Sequence, residues 1–114
     1  MTKKNLKTWE DKLAFFDEII DQCPNFDRKG KTMPYTSDNG HMFSLLNKDG
    51  EIGVRLGKDD QQAFIEKHNT TRFKSHGAFM NGYVLVPEAL YDDMEQLIDL
   101  FNQGHAFVKS LPPK

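Results

Sequence analysis

Four histidines, one cysteine and two Asp-Asp pairs are side chains here with the types for proton, metal or nucleophile chemistry. His41, His68, His76 and His105 have no His or Cys neighbour at a recognised ligand spacing, so no metal and no cofactor is expected. His68 and His76 flank a loop, whereas His105 falls on an apolar helical stripe and reads as a partly buried packing residue. Cys23 lies near the C-terminal end of a predicted helix, where the negative dipole end does not stabilise a thiolate. Asp59-Asp60 and Asp92-Asp93 are sequence neighbours, and neighbouring helical residues do not face one another, so neither is an acid–base pair. Capping accounts for the first pair and a solvated helix face for the second.

Two glycine-basic clusters, Lys29-Gly30-Lys31 and Gly53 to Lys58, raise the question of phosphate binding. A phosphate cradle needs a glycine-rich loop feeding a helix N-terminus. Gly57-Lys58 does precede a predicted helix, but Asp59-Asp60 would put two negative charges where the anion belongs. More promising is the set Tyr35, Arg55, Lys58, Arg72, Lys74 and Tyr83, in which aromatics alternate with bases. Placed on one sheet face, such residues stack on and hold nucleobases or an acidic partner. The net charge of −2 gives no general attraction to nucleic acid, so a protein surface or a second copy is the better fit. Tyr35, Arg55, Arg72 and Tyr83 are the expected binding residues.

The elements that must position these side chains are legible in part. Thr8 ahead of Trp9-Glu10-Asp11 is a capping-box pattern, and Trp9, Leu13, Phe16, Ile19, Ile20 and Cys23 follow at helical spacing until Pro24. Residues 1–7 read as a basic arm. A short edge strand is expected over 32–35, since Pro34 lacks an amide donor, followed by a turn cluster over 36–40. Asn47-Lys48-Asp49-Gly50 between two apolar runs predicts a hairpin of 41–46 and 51–56. Gly53 inside the second strand marks either a bulge or a backbone closely approached by another element.

A short helix is expected from an Asp59 cap, with Ala63, Phe64 and His68 inward, to near Asn69. Strands over 73–75 and 83–86 follow, joined by a loop of 76–82. Pro87-Glu88 opens a last helix whose stripe runs Leu90, Met94, Leu97, Ile98, Phe101, His105 and Val108, with a tail at 111–114. The order α-β-β-β-α-β-β-α predicts one α+β domain over 1–114. It has two layers, a mainly antiparallel five-stranded sheet with helices on one face. Strand alternation then puts Arg55 on the helix-free face.

The aromatic supply, nine Phe, three Tyr and one Trp, is enough for a core without staples. A lone cysteine suits a reducing cytoplasm, and no apolar run approaches the ~18 residues of a membrane span.

Met33, Gly40, Met42-Phe43, Asp49-Gly50, Ile52-Gly53-Val54-Arg55-Leu56, Phe64 and Tyr83-Val84-Leu85-Val86-Pro87-Glu88 resemble, in order and spacing, the TfoX N-terminal domain. That domain belongs to bacterial proteins linked to regulation of natural competence, and the likeness spans roughly residues 30–102. The YjbR-like, or MmcQ, domains share a similar architecture. The resemblance implies a compact, secretion-chaperone-like α+β domain with no established enzymatic activity, and a non-enzymatic module is expected. Where the family commonly follows its methionine with Phe-Gly-Gly, Met33 is followed by Pro34-Tyr35. The second domain of the full-length regulators has no counterpart in these residues, so a binding module is expected rather than a competence role. The contrasting expectation is a ligand-binding domain or small enzyme with a pocket between the last helix and the sheet, served by His68, Arg72 or His76.

Overall fold

A computed structural model describes residues 6–75 and 77–114. The first helix, α1 (Trp9–Asp21), begins at the expected capping box. The Asp11 amide donates to Thr8 Oγ1 at 3.0 Å, and the Thr8 amide donates to the Asp11 carboxylate at 3.2 Å. Within the basic arm, residues 1–5 lie outside the described residues. Leu6 packs against the core and the Lys7 amide bonds Asp11, so both belong to the folded domain.

Five strands form one antiparallel sheet: β1 (Tyr35–Asp38), β2 (His41–Leu46), β3 (Ile52–Arg55), β4 (Arg72–Ser75) and β5 (Ala78–Leu85), in the spatial order β1-β2-β3-β5-β4. The helices α2 (Lys58–His68) and α3 (Met94–Lys109) complete the expected order. α1 and α3 bury Phe15, Phe16, Ile19, Ile20, Leu97, Leu100 and Phe101 against Phe43, Leu46, Ile52, Val54 and Val84 of the sheet. α3 approaches β3 at backbone distance, because a methyl group at Gly104 would stand 2.9 Å from Val54 Cγ1 and 3.0 Å from the Arg55 carbonyl.

Several boundaries differ from expectation, each for a local reason. The edge strand is 35–38 rather than 32–35, and the turn is only Asn39-Gly40. Both residues have positive φ (57° and 80°), the two-residue hairpin geometry that matches strand twist. α2 is capped by Gly57, not Asp59; the two aspartates occupy its first turn, and Ala63 is exposed. The last helix is interrupted: Glu88–Leu90 is a single 3₁₀ turn, and α3 starts afresh behind Asp93, whose carboxylate accepts from the Gln96 amide at 3.2 Å. Asp93 is therefore a cap rather than part of a solvated face.

The larger correction concerns the helix-free face. Residues 78–82, expected as loop, belong to β5, and Ser75 pairs directly with Ala78. While β4 advances from Arg72 to Lys74, β5 retreats from Val84 to Phe79; the extra residues include Gly82 at φ 87°. Such a bulge bends its strand sharply. The bend carries β4 back over the sheet, so that the fully buried Phe73 lies against Gly53 of β3, beyond its own neighbour β5. Leu45, Phe73 and Tyr83 form a second buried cluster there, flanked by Met33, Tyr35, Met42, Met80 and Leu85. The face expected to be bare is roofed by the chain's own hairpin.

Candidate functional site

The four expected binding residues do not converge. Tyr83 is 5% exposed and its hydroxyl donates to the Met42 carbonyl at 2.8 Å. Burial pushes its phenol far above the ordinary value, against the opposing charge of Arg55. It is a core residue, not a surface contact. Tyr35 is half-buried on the same cluster, and its backbone exchanges hydrogen bonds with Lys29 at 2.7 and 2.9 Å. Arg55 pairs with Tyr83 across β3 and β5, but its guanidinium reaches past the strand end to within 5.5 Å of the Phe107 ring on α3. It does not stand out from the helix-free face. Lys58 opens α2 and is absent from the sheet altogether.

Arg72 is the exception. It and Lys74 project from the outer side of β4, opposite the inward Phe73, and both lie over the ring of Phe79 on β5. The guanidinium carbon is 4.5 Å and the ammonium 4.8 Å from the ring centroid. Phe79 is 48% exposed, the only large hydrophobic side chain so open among the described residues. Exposed cation–ring contacts contribute roughly 0.5–1 kcal/mol each, enough to hold the two bases together despite their like charge. Neither base has a carboxylate partner among the described residues. Beside them lies a depression of about 320 Å³ lined also by Glu51, Thr71 and Leu85. Glu51, the acid on that lining, accepts at Oε1 from Asn47 Nδ2 at 3.1 Å.

Phe79 escaped the sequence reading because Gly77 and Asn81-Gly82 made 76–82 resemble a loop. The usable signal was the alternation of Phe73 and Ser75 against Arg72 and Lys74, continued after two residues by Ala78-Phe79-Met80.

Between α3 and the sheet, Leu97, Phe101, Val54 and Phe43 are fully buried. A second concavity, about 360 Å³, lies between α2 and α3. Asp60, Lys67 and His68 line it from α2, Asp99 and Gln103 from α3, over a floor of Phe64, Leu90 and Leu100. The His68 ring packs at a tilt against Phe64, centroids 4.5 Å apart, and burial, aided by Lys67, holds its pKa below the ordinary value. Arg72 is not part of this groove, and His76 lies outside the described residues.

Cys23, His105 and Asp38 are tied into the fold. Cys23 is buried and its thiol is pushed up to about 11, so it stays protonated at neutral pH. Among the described residues no group of three His, Cys, Asp or Glu side chains could hold a metal ion. His105 packs between Phe26 and Phe43, at 5.1 and 5.3 Å, and its Nε2 meets Asp38 Oδ2 at 2.7 Å. That bond, then the Asn39 amide and Lys109, holds the Asp38 carboxyl below the usual carboxylate range. A depressed carboxyl contributes stability above its unfolded pKa of about 4 and loses it as pH falls through the folded value. Asp38→Asn is accordingly expected to lower the urea midpoint at about pH 6, with the gap from wild type narrowing toward about pH 3. A gap independent of pH would show that the carboxylate charge contributes nothing.

No family model matches the chain, and no curated protein matches it. No helix of the described residues is long and apolar enough to cross a membrane.

Proposed function

We propose that the chain is a non-enzymatic binding module that takes an acidic protein segment on the outer side of the β4–β5 hairpin. The observation that carries this reading is the exposed Phe79 ring with Arg72 and Lys74 laid over it and no carboxylate paired to either base. An aromatic ring with two cations outside any ion pair offers a carboxylate partner both charge and apolar contact, while the neighbouring depression admits a side chain. The bases need no rearrangement before binding, because the ring already restricts them. The resemblance of residues 30–102 to the TfoX N-terminal domain agrees with a module of this kind.

The test is an amide NMR titration with a hexaglutamate peptide. Resonances of Thr71, Arg72, Lys74 and Phe79 are expected to move, and rising salt is expected to weaken the effect. The Arg72→Glu, Lys74→Glu double variant should lose binding at least tenfold. Unmoved resonances at those positions, or equal binding by the double variant, would remove the reading. A single-stranded oligonucleotide that bound there more tightly than the peptide would reassign the surface to nucleic acid.

A further inference from the structure

We infer that one partner is a second copy of this chain, with the Phe79 knob of one molecule entering the groove between α2 and α3 of another. The inference rests on the reading of the hairpin surface given above. The groove is what such a knob lacks. Its floor is apolar, from Phe64, Leu90 and Leu100, and Asp60 and Asp99 stand on walls contributed by different helices. Neither carboxylate has a hydrogen bond or ion pair among the described residues. Lys67 is the one opposing cation on the lining, and His68, desolvated beside it, is held toward the neutral form. The groove is therefore net negative, and the knob carries two positive charges beside its ring.

The groove's existence has a physical cause. α2 buries none of its residues fully, and Phe64 and Ile65 are only half-covered by the core. An entering aromatic ring would cover apolar surface that the monomer leaves wet. At about 360 Å³ the space suits a small-ligand-sized group. Knob and groove are different surfaces, so one contact alone leaves a free knob and a free groove, and a reciprocal exchange of knobs is what would close a twofold pair. One side chain in one groove makes a small interface, below the ~1,200 Å² of stable complexes, so association should be weak and salt-sensitive.

Sedimentation velocity over about 10 μM to about 1 mM tests this. Wild type is expected to grow in mean mass with concentration, and salt should reverse it. Phe79→Ala, which keeps the groove, and Asp60→Lys with Asp99→Lys, which keeps the knob, should each remain monomeric. Mixed in equal amounts, they should form dimers and nothing larger, because one intact knob meets one intact groove. All three changed residues are exposed, and circular dichroism with the milder Asp99→Asn would separate misfolding from lost contact. Wild type monomeric throughout, either variant alone associating like wild type, or a mixture that stays monomeric would each overturn the inference. If hexaglutamate still moved the Arg72, Lys74 and Phe79 resonances of a monomeric wild type, only self-association would fall. If it did not, the binding surface would fall as well.

Discussion

An Asn47→Ala chain is expected to lose about 3 kcal/mol of folding stability in urea or thermal unfolding, from a side chain of no catalytic type. Asn47 is 2% exposed and makes four side-chain hydrogen bonds. Its Oδ1 accepts the Asp49 and Glu51 amides at 3.1 and 2.8 Å, shaping the turn between β2 and β3. Its Nδ2 donates to Glu51 Oε1 and, at 2.9 Å, to the Lys74 carbonyl on β4. Alanine would leave partly buried amides and a carbonyl unpaired, which costs more than the net worth of the bonds themselves. Asn47→Asp should not rescue, since it keeps the acceptor, loses both donors and places a charge beside Glu51. The loss should also speed amide exchange in β4, because the bond to Lys74 ties the bent hairpin to the rest of the sheet. A change below about 1 kcal/mol would show that this tie is not holding the hairpin down.

Gly53→Ala is expected to cost about 3 kcal/mol, at the upper end for an added methyl group in a packed core. The backbone at Gly53 is not left-handed, so conformation is no obstacle; space is. A Cβ there would overlap the Phe73 ring, and Phe73 is fully buried with Tyr83 6.2 Å away. Phe73→Ala alone should cost roughly 3–5 kcal/mol by leaving a cavity. In that background the Gly53 methyl group has room, so the double variant should be more stable than the sum of the singles, by about 2 kcal/mol. Additive costs would mean that the ring does not rest on Gly53.

These two residues show what the sequence discloses and what it hides. Gly53 signalled a bulge or a close approach, and the close approach is the outcome; the approaching residue, Phe73, could not be read from local pattern. Thr8 and the Asn47–Gly50 turn acted locally, and each marks a real boundary because capping and turn chemistry depend on near neighbours; Pro87, expected to open the last helix, opens only the 3₁₀ turn, and α3 begins behind Asp93. The bend of β5 at Gly82 depends on pairing with β4, so periodicity across 78–82 was lost among Gly and Asn. That single bend turned the expected open face into a second core. It closed Tyr83 into that core and left Arg72 and Lys74 outside with an aromatic that no spacing rule had singled out. Arg55 obeyed strand alternation at its backbone, yet its long stem took the charge round the strand end to Phe107.

The two outer strands of the sheet are both tethered: β1 exchanges backbone hydrogen bonds with Lys29, and β4 gives its Lys74 carbonyl to Asn47. Unguarded borders of this kind are where proteins seed cross-β fibrils. The same bonds that shape the hairpin therefore bear on the colloidal fate of the chain. Loosening either tether would offer an incoming strand a template, and amyloid-dye fluorescence on prolonged incubation should rise before the bulk of the protein unfolds.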